Sequence, residues 1–150
     1  MSAILKIILL PFSFVYWLIT ATRNKLFDFG VLPSKEFDFP VICIGNLSVG
    51  GTGKTPHTEY IINLLANKYK IAVLSRGYKR KTKGFKIVDN NDTAETVGDE
   101  PLQIFLKNEN IIVAVDEKRH RGISNLRSLE SKPDIILLDD AFQHRKVKAG

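Results

Sequence analysis

Hydrophobic positions fall into two regimes along the chain. From Ile4 to Ile19 only Lys6 and Ser13 are polar, and Pro11 interrupts the run. A bilayer-spanning helix needs roughly 20 apolar residues, so this run falls short of one. Tyr16 and Trp17 lie near its end, and Arg23 and Lys25 follow. That order suits a helix lying in a membrane interface, with aromatic rings at headgroup depth and cations outside. Residues 1–25 are therefore expected to form a membrane-interface helix, the plainer alternative being a helix buried against the rest of the chain. A secretory signal fits less well, because Lys6 is the only side-chain cation before the apolar run and no small-x-small cleavage site follows it.

Beyond a connector from Pro33 to Pro40 the pattern shortens and alternates. Val41 to Ile44 is a continuous apolar run, as in a strand buried on both faces. Residues 45–53 are glycine-rich, and Thr55 to Lys68 places Tyr60, Ile61, Leu64 and Leu65 at helical spacing. Ile71 to Leu74 reads as a second strand. Residues 79–96 are polar, with one strand-like piece from Phe85 to Val88. Glu100 to Lys107 reads as a helix and Ile111 to Val115 as a strand. Asp116 is expected to cap a helix over residues 117–130, and Ile135 to Leu138 forms another buried strand ending in Asp139-Asp140. Strands alternating with helices predict an α/β fold over residues 40–150, a parallel sheet flanked by helices.

Composition narrows this only a little. A formal charge of +6 and a pI near 9.5 favour anionic partners, whether nucleotide, acidic lipid or nucleic acid. The single cysteine, Cys43, excludes an internal disulfide and sits in an apolar run as strand core.

The strongest chemical signal is Gly50-Gly51-Thr52-Gly53-Lys54-Thr55, after a strand and before a helix. Glycines let the backbone curl so that successive N–H groups face phosphate oxygens, and the helix adds its positive N-terminal end. Ser48, Val49, Gly50, Gly51, Thr52, Gly53, Lys54 and Thr55 are the candidate nucleotide-holding residues. Lys54 can reach the β- and γ-phosphates and Thr55 can ligate Mg²⁺. The strict phosphate-loop pattern asks for glycine where Ser48 stands; the flanking strand and helix and the extra glycines compensate. Such a site also needs a carboxylate at the end of a neighbouring strand, which Asp139 or Asp140 supplies. ATP and Mg²⁺ are the expected cofactors of a P-loop NTPase-like domain.

The stretch from Pro40 to Pro56 resembles the tetraacyldisaccharide 4'-kinase (lipid A 4'-kinase) family, in which Ser48 is the expected residue. Three further segments match in order: Leu74-Ser75-Arg76-Gly77-Tyr78, Val97-Gly98-Asp99-Glu100-Pro101 and Asp139-Asp140-Ala141-Phe142-Gln143-His144. Ala141 stands where the family usually has glycine. The resemblance implies transfer of the γ-phosphate of ATP to the 4'-hydroxyl of tetraacyldisaccharide 1-phosphate, an acylated glucosamine disaccharide, giving lipid IVA in lipid A biosynthesis. It implies work at the cytoplasmic face of a bacterial inner membrane, with an N-terminal apolar helix on the membrane surface. It names Asp99 as the carboxylate that accepts the hydroxyl proton. By itself Asp99 reads equally well as a helix cap. Arg76 and Arg119 are cations able to steady developing phosphate charge, or else surface ion-pair residues.

Lys79-Arg80-Lys81-Thr82-Lys83 is either a solvated loop or an attraction for anionic lipid. His57, His120 and His144 do not form a metal-ligand spacing, although His144 follows the two aspartates closely. The family chain is longer than 150 residues, so this chain is expected to be a portion lacking the family's second domain. Two other functions use the same features: a membrane-associated P-loop ATPase, and a non-catalytic nucleotide-binding module. No nucleic-acid motif is present, and no nucleic-acid partner is expected.

Overall fold

The computed structural model describes residues 3–34, 36–45, 54–139 and 147. Two compact units divide the chain, Met1–Ser34 and Lys35–Gly150.

The first unit is built on one helix, α1 (Ala3–Asp28), which continues through Pro11. The Thr20 hydroxyl donates back to the Tyr16 and Trp17 carbonyls, at 2.9 Å each, the usual way a helical threonine satisfies itself. The helix ends where Gly30 turns to φ 70 and the Leu32 N–H returns to the Leu26 carbonyl at 3.0 Å. Its apolar side chains are open to solvent over a long stretch: Phe12, Tyr16 and Trp17 are 69%, 72% and 60% exposed. No helix among the described residues is long and apolar enough to cross a membrane.

The second unit is a five-stranded sheet in the order β1-β5-β2-β4-β3. Its strands are β1 (Val41–Ile44), β2 (Ile71–Ser75), β3 (Lys86–Ile87), β4 (Ile112–Val115) and β5 (Ile135–Asp139). The first, second, fourth and fifth run parallel; β3 pairs antiparallel to β4 at the edge. Strand alternation sorts the core into two layers. Ile44, Ile71, Val73, Val113, Val115, Ile135 and Leu137 pack on one face with Ile62 of α2 (Lys54–Leu65) and Ile104 of α4 (Asp99–Lys107). Val41, Ala72, Leu74, Ala114, Ile136 and Leu138 pack on the other with Ile123 and Leu126 of α5 (Arg119–Arg127). Crossovers that advance along the sheet thus use one face, and the one that returns from β4 to β5 uses the other. This is the geometry that right-handed connections impose. Burying β2 and β5 completely explains their unbroken apolar runs. Each such Leu or Ile contributes about 1.5–3 kcal/mol relative to exposure.

Three expectations need correction. In α2, Tyr60 and Leu64 are 67% and 62% exposed, while Ile62 is 1% exposed and meets the sheet with Ile61 and Leu65. The helical spacing holds, but of the four positions only Ile61 and Leu65 face the sheet. The polar stretch before residue 96 also contains a single helical turn, α3 (Ala94–Val97). The fifth helix is shorter than 117–130 and its N-cap residue is Lys118. Asp116 instead accepts the Lys118 N–H at 2.8 Å, closing an Asx turn one step before the helix.

Candidate functional site

All four parallel strands end at one edge of the sheet. Residue 45 and the glycine-rich segment follow β1, Arg76 follows β2, Asp116 follows β4, and β5 ends on Asp139. In open α/β sheets, ligands bind at this carboxyl edge. The sequence places β5 last, yet the sheet inserts it between β1 and β2. The register then sets Asp139 directly beside Ile44, the last residue of the strand that feeds the glycine loop. Asp139 also continues the alternation of Ile135 and Leu137, the face on which α2 packs. Its residue is 4% exposed. A carboxylate is thereby set next to the loop strand and on the side of the helix that opens with Lys54 and Thr55.

Ser48, Val49, Gly50, Gly51, Thr52 and Gly53 lie outside the described residues, as do Asp140 and the Ala141-Phe142-Gln143-His144 segment. Lys54 and Thr55 form the first turn of α2. A strand-end carboxylate beside a loop strand, with a threonine at the start of the next helix, is a donor set suited to a magnesium-bound triphosphate. No group of three or more metal-ligating side chains occurs among the described residues.

Arg119 is not a surface residue. It is 5% exposed, and its guanidinium donates to the backbone carbonyls of Asp139 and Asp116. A cation held this way ties the end of β5 to the turn after β4. Its charge reaches Cys43, whose thiol is pushed up by burial and drawn partly back by Arg119. Arg76, by contrast, is exposed at the end of β2.

Asp99 does not cap α4. The N-cap position belongs to Gly98, and Asp99 is the first helical residue, with its side chain in solvent. Asp99 and Glu100 place their negative charges at the positive end of that helix. Gly98 has φ 97 and ψ 155, and its backbone lies against Gly77 and Tyr78. A Cβ built there would sit 3.1 Å from the Tyr78 carbonyl oxygen and 3.3 Å from the Gly77 Cα. The motif after β2 and the motif before α4 therefore touch through their glycines.

The basic run is not a solvated loop throughout. The Arg80 side chain is 4% exposed. Its Nη2 donates to the Gly84 carbonyl at 2.6 Å and to Glu117 at 2.5 Å. The Gly84 N–H donates to both Glu117 oxygens, at 3.0 and 3.1 Å. Backbone N–H donors, with Arg80 behind them, hold the Glu117 carboxyl down to about 2. Arg121 makes a two-pronged contact with the fully buried Asp116, at 2.7 and 2.9 Å, and its Nη2 lies 3.5 Å from Glu117. A cleft of about 390 Å³ opens over this network, lined by Arg76, Tyr78, Lys79, Arg80, Lys83 and Glu117. Arg80, Asp116, Glu117 and Arg121 do not stand out as a group in the sequence: Arg80 lies inside a basic run, and its partner Glu117 is 37 residues away.

The tetraacyldisaccharide-1-P 4'-kinase family model matches residues 5–150. A tetraacyldisaccharide 4'-kinase of Flavobacterium johnsoniae is 60% identical over 147 residues, covering 98% of this chain and 43% of the relative. That of Flavobacterium psychrophilum is 61% identical over 142 residues, covering 95% and 41%. This chain thus spans about two-fifths of the length of these relatives. The crystal structure of LpxK from Aquifex aeolicus, described as an "apo" form in complex with ATP, is 42% identical. It superposes with a TM-score of 0.86 over 97% of this chain and 47% of that one. The chain belongs to the tetraacyldisaccharide-1-P 4'-kinase family.

Proposed function

We propose that this chain is the nucleotide-binding portion of a lipid A 4'-kinase. In this reading it holds ATP and magnesium at the sheet's carboxyl edge and phosphorylates the 4'-hydroxyl of tetraacyldisaccharide 1-phosphate. The observation that carries the proposal is the β1–β5 register, with Asp139 beside Ile44 and on the α2 face. Family membership supports it, and the ATP of the Aquifex aeolicus structure supports the choice of nucleotide.

Residues 48–53 supply backbone N–H donors to the phosphates, and Lys54 neutralises the β- and γ-groups. Thr55 and Asp139, or Asp140 next in sequence, would hold the metal. Magnesium, when bound, screens the triphosphate charge that would otherwise repel the incoming oxygen. Asp99 accepts the proton of the 4'-hydroxyl as that oxygen forms its bond to the γ-phosphorus and the bond to the β–γ bridging oxygen breaks; ADP carries the displaced charge away. Arg76, exposed at the cleft mouth, steadies the transferring group. Arg119 supports the Asp139 strand end from below. The exposed apolar side chains of α1 bring the enzyme to the cytoplasmic face of the inner membrane, where its acylated acceptor resides.

The test is transfer of labelled γ-phosphate to tetraacyldisaccharide 1-phosphate in detergent micelles. It compares this chain, the full-length protein that carries it, and the Asp99→Ala form of the latter. Labelled bis-phosphorylated lipid from the full-length protein, abolished by Asp99→Ala, is the expected result. Phosphate release without lipid labelling would make the protein a P-loop ATPase. Bound ATP with neither product would leave a nucleotide-binding module.

A further inference from the structure

The polar network around Arg80 has no part in binding nucleotide as described above, yet it is densely bonded. Arg80 closes the segment from Gly77 to Gly84 into a ring: its N–H donates to the Gly77 carbonyl at 3.2 Å and its guanidinium to the Gly84 carbonyl. Glu117, from the turn after β4, locks the ring from outside through Arg80 and the Gly84 N–H. The far side of the ring rests on α3. The Lys81 N–H donates to the Glu95 carbonyl at 2.7 Å, and the Thr82 hydroxyl donates to the Thr96 carbonyl. The two residues after α3's Thr96 are Val97 and Gly98, and these touch Gly77. A Cβ on Gly77 would meet the Val97 carbonyl at 2.9 Å and the Arg80 Cδ at 2.4 Å. Asp99 follows at once.

We propose that Arg80 and Glu117 are positioning residues for phosphoryl transfer: their ion pair shapes the Gly77–Gly84 ring, and the ring sets where α3 ends and therefore where Asp99 stands. The inference rests on reading Asp99 as the proton acceptor. Neither residue touches the reacting atoms in this account. Both act by fixing the Val97–Gly98 backbone from one side while the sheet fixes it from the other. Misplacing a catalytic group by about 1 Å costs on the order of 100-fold in rate, so a loosened ring is felt in turnover before it is felt in nucleotide affinity.

The experiment uses the full-length protein and four variants: Glu117→Gln, Glu117→Asp, Arg80→Met and Asp99→Ala. Thermal unfolding first establishes that each is folded at the assay temperature. The expected result is a fall in kcat of about 10- to 100-fold for Glu117→Gln and Arg80→Met, with KM for ATP changed less than about twofold. Glu117→Asp, which keeps the charge, is expected to recover a substantial part of the loss. The kcat–pH profile is expected to change in Glu117→Gln and to return toward the parent's in Glu117→Asp. A folded Glu117→Gln protein with unchanged kcat and an unmoved profile, alongside an inactive Asp99→Ala, would overturn the positioning role and leave Asp99 in place. A kcat loss matched by the loss of folded protein, with the pH profile unmoved, would also overturn it. An active Asp99→Ala protein would instead remove the proton-acceptor reading, and this inference with it.

Discussion

Replacing Gly98 with alanine tests the contact between the two motifs directly. Gly98 is buried, with φ 97 and ψ 155, a region open essentially to glycine alone, where other residues are strained by about 1–3 kcal/mol. The added methyl would also sit 3.1 Å from the Tyr78 carbonyl oxygen and 3.3 Å from the Gly77 Cα. Those neighbours are main-chain atoms, which cannot swing aside as the end of a side chain would. Overpacking of this kind costs about 1–3 kcal/mol more. The combined expectation is a loss of about 3 kcal/mol or more, which lowers the thermal midpoint by roughly 6 °C at about 2 °C per kcal/mol. Gly30→Ala is the control: φ is also positive there, at +70, but a Cβ would meet nothing within 4 Å. It isolates the backbone cost and is expected to lose only about 1–2 kcal/mol. Both are measured by thermal unfolding of the full-length protein, with kinase activity assayed below the transition. A Gly98→Ala protein that melts within about 2 °C of the parent, with undiminished kcat, would refute the claimed close packing of Gly98 on Gly77.

Three further outcomes follow from the geometry. The folded Glu117 carboxyl at about 2 lies below its ordinary value of 4.5, so the folded state binds its proton less tightly. Its stabilising contribution is full above about pH 4.5 and is lost as pH falls through about 2; the gap in thermal midpoint between parent and Glu117→Gln should be flat above about pH 5 and narrow below it. Arg119→Met should strip the Asp139 and Asp116 carbonyls of a charged donor, costing about 1.5–3 kcal/mol for such a bond and weakening magnesium-dependent ATP binding in a fluorescence titration. An unchanged dissociation constant would separate Arg119 from the Asp139 end. Trp17→Glu on the exposed part of α1 should reduce co-sedimentation with anionic vesicles several-fold while leaving ATP binding intact, and equal sedimentation would argue against the interfacial reading.

The four parallel strands were legible because each is a short apolar run bounded by proline, glycine or charge, and burial on both faces leaves no alternation to confuse; the two-residue edge strand β3 is not of that kind. Their order was not legible: no local signal says that the Ile135–Asp139 strand inserts between the first two. Helical spacing does not say which side of α2 is buried: Tyr60 and Leu64 satisfy it as well as Ile61 and Leu65 do, and only the sheet decides between them. The α3 turn escaped notice because four residues carry no period. Asp92 and Thr96 hold it through side chains, the Thr96 hydroxyl donating to Asp92 at 2.7 Å. The phosphate loop and its aspartate partner are expectations from residue type and spacing; the described residues add only that Asp139 ends β5 beside Ile44. Burial of Arg80 and Arg119 was not legible, since arginine usually stays in solvent and the partners Glu117 and the Asp139 carbonyl come from distant segments.

The sheet order also has a consequence for the order of synthesis. Among the described residues β1 pairs with β5 alone, and close to a hundred residues separate Ile44 from Asp139. At about 5–20 residues per second, β1 leaves the ribosome on the order of ten seconds before its partner exists. During that interval β2 can collect β4 and the helices that cover one face, whereas the strand leading to the glycine loop has no neighbour to bond. The β1 end of the sheet is therefore completed only after β5 has been made. On the proposed reading, magnesium and ATP can be held together only after the strand that ends in Asp139 has emerged.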